Sequence, residues 1–131
     1  LSGGQAHVTL ETLFERLGTQ DSPDLWALSW IADYPSPNDF LGILLGTDQP
    51  NNYGHWSNAA FDAAIADAVG TDDPAAARAG YDAAETILRE EVPTIPVSYG
   101  TSAALAREGL LGATSNGLGF LRLAGLAWAD E

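Results

Sequence analysis

The sequence predicts an α/β domain, and three observations carry that expectation. Leu25–Trp30 is an almost wholly apolar run, short enough for a strand buried on both faces. Two Ala-rich stretches with helical spacing begin on strong start signals, Asn58 and the pair Asp73-Pro74. A second β-rich run, Val92–Tyr99, follows them. At 131 residues the chain has the size of one domain, large enough for a single core but not for two independent lobes.

Taken in order, Ala6–Leu10 reads as a short strand, and Leu13, Phe14 and Leu17 form the apolar stripe of a small helix that Gly18 stops. A polar connection over Thr19–Asp24 leads into the Leu25–Trp30 strand. Pro35 and Pro37 remove two N–H donors and bias Tyr34 and Ser36 toward extended geometry, so the strand must end there. Asn38 or Asp39 is placed to cap an apolar helix over Phe40–Leu45, completing a β-α-β-α start. Thr47–Trp56 is rich in turn residues and reads as a loop. Asn58 then caps a helix with Phe61, Ile65 and Ala68 facing inward and Asp62 and Asp67 outward. Asp73 and Pro74 start another, striped by Tyr81, Ala84 and Leu88 and ending near Glu91; the two form an αα-hairpin covering a sheet face. With two prolines, Val92–Tyr99 is an edge strand or an extended crossing segment. Ala103–Arg107 is a further strand candidate, Gly109–Gly119 holds four glycines without periodicity, and no internal repeat is found.

Charge excludes several functions. Eighteen acidic residues against five Arg and no Lys give a net charge of −13, which opposes non-specific binding to nucleic acid or anionic membranes. Cationic partners are favoured weakly, since acidity also serves solubility. The absence of Cys removes disulfides, iron–sulfur clusters and thiol catalysis. No apolar stretch approaches the roughly 20 residues of a membrane span, and no signal-peptide pattern is present. A start at Leu1 rather than Met points to a processed protein or an excised piece.

The turn after Trp30 is the main candidate for function. Trp30, Asp33 and Tyr34 lie within five residues at the end of a strand, where open α/β sheets place their ligands. A carboxylate there can receive a cation such as a peptide α-ammonium, and the rings offer stacking or cation–π faces. The plainer alternative is that Asp33 closes a local turn or pairs with an Arg and that Trp30 is core. Tyr53 and Trp56 stand on the Asn- and Gly-containing loop and are candidate rim aromatics, or only its anchors. Catalytic chemistry is poorly served. His7 and His55 lack metal-ligand spacing, Asp33 with Asp39 or Asp48 is a glycosidase-like pair of unknown separation, and Ser2-Gly-Gly and Gly117-Leu-Gly119 lack the features of a phosphate loop. Gly42 and Gly46 read as packing and cap glycines. No catalytic residue, metal or cofactor is assigned.

Trp30-Ile-Ala-Asp33-Tyr34-Pro35-Ser-Pro37 closely resembles the Trp-x-x-Asp-Tyr-Pro-(Asp/Glu)-Pro segment of extracellular solute-binding proteins of the peptide/nickel/opine group, which includes oligopeptide- and dipeptide-binding proteins. Asn52-Tyr53-Gly54-His55-Trp56-Ser57-Asn58 with Phe61-Asp62, then Arg78, Tyr81, Glu85 and Leu88, then Glu91-Val-Pro-Thr-Ile95-Pro-Val97 are similar to later segments of that family, in its order, over about 25–105. Ser36, Ala59 and Gly80 depart from its pattern, and Ser36 lies near the presumed ligand. The resemblance implies a C-terminal portion of a two-lobed binding protein. Residues 1–92 would form a second-lobe α/β segment, and 93–131 a hinge-crossing strand and a C-terminal segment packing on the first lobe. It further implies a non-enzymatic component of an ABC importer outside the cytoplasm, in the periplasm or as a cell-surface lipoprotein. A permease would be its partner and a peptide or other small solute its ligand, with Asp33 in the amine-binding position. Without the first lobe, the apolar C-terminal third is expected to allow self-association. The competing reading is a carbohydrate-binding module or glycosidase fragment with Trp26, Trp30, Tyr34, Tyr53 and Trp56 as sugar platforms.

Overall fold

Thr9 is extended and its hydroxyl accepts a hydrogen bond from the Thr12 amide at 3.2 Å, which starts helix α1, Leu10–Leu17. The computed structural model describes residues 4, 7–19, 22–101, 103 and 105–129. The strand expected over Ala6–Leu10 is therefore corrected: Ala6 lies outside the described residues, Thr9 is a helix cap and Leu10 is already helical. Gly18 closes α1, as its position suggested, with its N–H donating to the Phe14 carbonyl at 3.2 Å.

The Leu25–Trp30 run forms no strand, and the expected β-α-β-α start is absent from the described residues. Leu25 is 81% and Leu28 41% exposed, so the run is not buried on two faces. A strand needs a neighbour to pair its alternate N–H and C=O groups, and apolar content alone does not supply one. Between the two prolines, the Ser36 hydroxyl accepts from the Asn38 backbone N–H at 3.3 Å and caps a 3₁₀ turn, Pro37–Asp39. The short helix α2 begins only at Gly42 and ends at Leu45, later than expected, because the 3₁₀ turn uses Asn38 and Asp39.

Both helices of the expected hairpin are present, with Asp62, expected on the outer face, half-buried and accepting from the Thr47 backbone N–H at 3.0 Å. Asn58 Oδ1 accepts from the Ala60 and Phe61 amides at 2.9 and 3.0 Å and starts α3, Ala59–Val69. Asp73 caps α4, Pro74–Glu91, with Pro74 where its missing N–H costs nothing. Val92 ends α4 in the left-handed conformation, φ 49°, a costly one for a β-branched residue; Pro93 behind it cannot continue the helix. Phe61, Ala68 and Ala84 are buried between the two helices, and Leu17 is the other buried apolar side chain among the described residues. No sheet lies under this hairpin among the described residues.

Gly80 explains how close the helices come. A Cβ there would stand 2.8 Å from the Ala68 Cβ and 2.9 Å from the Ala64 carbonyl oxygen, so the departure from a larger residue lets two Ala-rich faces meet. Ala for Gly in a helix gains about 1 kcal/mol of propensity. Overpacking against backbone costs about 1–3 kcal/mol, so Gly80→Ala is expected to lower the melting temperature rather than raise it. A thermal melt followed by far-UV circular dichroism reads the sign.

The sheet is small and C-terminal. Strands β1, Leu110–Leu111, and β2, Ala127–Trp128, pair antiparallel with Leu110 opposite Trp128 and Leu111 opposite Ala127. Between them a bridge joins Ser115 to Leu121, and Asn116 Oδ1 accepts from the Leu118 and Phe120 amides. Gly112, φ 76°, passes so near the Gly125 carbonyl that a side chain would collide with it. Val92–Tyr99 carries no ladder bonds, which removes the edge-strand alternative for it, and neither do the described residues of 103–107, which corrects the strand expected there. Val97 and Tyr99 are 87% and 91% exposed. The chain is thus a mixture of helices and a small sheet.

Candidate functional site

Asp39 organises the turn after Trp30. It is fully buried, and one carboxylate oxygen, Oδ2, accepts from both the Trp30 indole N–H at 3.2 Å and the Asp33 backbone N–H at 2.9 Å. Its other oxygen, Oδ1, is buried with no partner among the described residues. The Asp33 carboxylate itself is exposed and makes no hydrogen bond or ion pair with any described residue. It neither closes the turn nor pairs with an Arg. Two of the five Arg, Arg78 and Arg89, are engaged within α4 by Asp82 and Glu85. Tyr34 Oη accepts from Asn38 Nδ2 at 2.9 Å, and the Ser36 hydroxyl lies 3.4 Å from Tyr81 Oη, tying the turn to α4. The result is a fixed lip with an unengaged carboxylate between two partly exposed rings.

Tyr53 and Trp56 lie on a different feature, an open hollow of about 310 Å³ under the 47–57 loop, which Leu17 and Gly18 also line. Trp30, Asp33 and Tyr34 do not line it. Both rings are half-buried, Tyr53 tilted against Phe14 at 5.7 Å and Trp56 edge-on to Phe61 at 5.0 Å. Buried Asn52 holds the loop, its amide donating to the Gly46 and Trp56 carbonyls at 3.0 and 2.7 Å. Glu91 clamps it from α4, taking the Trp56 indole N–H at 2.8 Å on one oxygen and the Asn58 amide at 2.7 Å on the other. Asp48 and His55, at φ 59° and 50°, form the left-handed corners. His7 and His55 are exposed, and among the described residues no group of three or more His, Cys, Asp or Glu is placed to hold a metal ion. Among the described residues no helix is long and apolar enough to cross a membrane.

The roles of Asp39 and Glu91 escape a reading of the sequence. Asp39 reads there only as a cap or half of an acid pair, and its link to Trp30 spans nine residues. The available signal is a second acid a few residues beyond the Trp-x-x-Asp turn, following a proline that brings the chain back.

The sequence is similar to proteins of known role. The chain is 35% identical over 89 residues to the periplasmic murein peptide-binding protein MppA of Escherichia coli, a match covering 68% of this chain and 16% of that protein. The chain belongs to the family of periplasmic peptide-binding proteins. To di/tripeptide-binding protein 1 of Pseudomonas aeruginosa, a member of this family, it is 34% identical over 80 residues, 60% of this chain and 15% of that one. To the peptide transport periplasmic protein SapA of Salmonella typhimurium it is 27% identical over 124 residues, 92% of this chain and 23% of that one. The chain spans less than a quarter of the length of these family members. No family model matches it, and no solved structure matches it.

Proposed function

We infer that this chain is part of a peptide-binding component of an ABC importer, working outside the cytoplasm, and that its turn at 30–40 receives the α-ammonium of a peptide. The observation that carries the reading is the unengaged, outward Asp33 carboxylate on a turn whose backbone Asp39 holds fixed. A carboxylate with no internal partner, flanked by Trp30 and Tyr34, suits an external cation. The family relationship makes a peptide the natural bearer of that cation and a permease the natural partner.

In this reading residues 1–92 belong to the second lobe of a two-lobed protein, and 93–131 cross the hinge and lie against the first lobe. The exposed side chains of Val97, Tyr99, Phe120, Leu123 and Trp128 support that placement, since apolar surface left open to water suits a cover. Uncovered, it would drive self-association of the isolated chain, which sedimentation equilibrium reads directly. Tyr53 and Trp56 enter as the aromatic rim of the neighbouring loop. Binding proceeds by closure and differential contact without covalent chemistry. Calorimetric titration of the intact protein with tri-alanine and with N-acetyl-tri-alanine tests the reading. The free amine is expected to bind more tightly by about tenfold or more. Equal affinity for the two peptides would remove the ammonium from the site.

A further inference from the structure

Asp39 is a buried carboxylate that an ammonium–Asp33 contact does not by itself require. An ionised group taken out of water is costly unless it is well paired, and here one oxygen receives two neutral donors while the other receives none from the described residues. An apolar side chain at this position would leave the Trp30 indole N–H and the Asp33 backbone N–H without their acceptor. The two donors belong to the two residues that carry the lip's chemistry: the peptide of Asp33, whose side chain is exposed, and the indole of Trp30, which is partly exposed. One oxygen therefore sets the separation and orientation of a charge and an aromatic face.

We propose that Asp39 is the positioning residue of the ligand lip, joining the Trp30 ring and the Asp33 peptide through its Oδ2 so that cation and ring contacts form together. The proposal rests on the reading of Asp33 as the ammonium acceptor and goes beyond it by assigning discrimination between charged and neutral amines to a residue that touches no ligand. It also gives the first Ser36-Pro37-Asn38 turn a purpose. The 3₁₀ turn capped by Ser36 is what carries Asp39 back beneath residue 33.

Three variants test this in the intact protein: Asp39→Ala, Asp39→Asn and Asp33→Asn, each titrated with tri-alanine and N-acetyl-tri-alanine. Asp39→Ala removes the acceptor, and the ratio of affinities for the free and the acetylated peptide is expected to fall by about tenfold, because the Asp33 carboxylate is no longer held in register. Asp39→Asn retains an oxygen able to accept both donors and is expected to recover most of the ratio. NMR hydrogen exchange at the Trp30 indole and the Asp33 amide should show protection lost in the Ala variant and regained in the Asn variant. A merely structural role would lower the melting temperature and leave the ratio unchanged in the folded protein, and that result overturns the proposal. Trp30→Phe, which withdraws a donor and spares the buried carboxylate, must also lower the ratio; if Asp39→Ala fails to fold, this variant decides. Should Asp33→Asn abolish the ratio while neither Asp39→Ala nor Trp30→Phe affects it, the ammonium reading stands and Asp39 has no part in it. Should Asp33→Asn leave the ratio intact, or the unaltered protein bind neither peptide, both fall together.

Discussion

Phe61→Ala is expected to destabilise the chain by about 3–5 kcal/mol, the range for removing a fully buried aromatic ring. Ordinary domains are stable by about 5–15 kcal/mol, and the fully buried apolar side chains described here are few: Leu17, Phe61, Ala68 and Ala84. Phe61 is also the surface on which the Trp56 ring rests edge-on, and its own amide is one of the two that the Asn58 cap satisfies. Losing the ring therefore loosens α3 and the 47–57 loop together. Chemical denaturation followed by circular dichroism, with Trp fluorescence as a second probe, should show both transitions moving to lower denaturant. Phe61→Leu, which keeps much of the volume, should restore most of the loss. A Phe61→Ala variant as stable as the parent would mean that the α3–α4 contact is not the core.

Asp33→Asn is expected to weaken the binding of an amine-bearing peptide by about 2–4 kcal/mol with little effect on the fold, because the cation loses a charged partner inside a closed cleft. The magnitude itself is informative. An ion pair left as open to water as Asp33 is in this structure contributes only about 0–1 kcal/mol. A loss in the higher range therefore reports that a second surface closes over Asp33 when ligand binds. The fold should be indifferent, since the Asp33 side chain bonds to no described residue and its backbone N–H, which Asp39 holds, is unchanged by the substitution.

What could be read from the sequence divides by the range of the interaction. The caps at Asn58 and Asp73 and the stop at Gly18 are local hydrogen bonds made by a residue to the adjacent turn of its own helix, and they are present. The α3–α4 pairing followed from two apolar stripes and a short connection. Strands fail this test. Leu25–Trp30 and Val92–Tyr99 have the composition of strands, but a strand exists only with a partner, and composition does not say whether one is at hand. The C-terminal ladder was missed for the converse reason: Leu110–Leu111 and Ala127–Trp128 are two residues each, too short for an alternating pattern. At the candidate site the charge-bearing turn was visible in Trp30, Asp33 and Tyr34, since it is one short segment. Its support was not, because Asp39 acts back across six and nine residues and Glu91 reaches Trp56 across thirty-five.

The claim that matters most is that Asp33 takes the ammonium group of a peptide. A double-mutant cycle on the intact protein isolates it: tri-alanine and N-acetyl-tri-alanine titrated by calorimetry against the unaltered protein and Asp33→Asn. If the carboxylate and the ammonium meet, each change alone weakens binding and the two together cost little more than either one, a coupling of about 2 kcal/mol or more. If the losses simply add, Asp33 and the amine do not meet, and the account of this site is wrong.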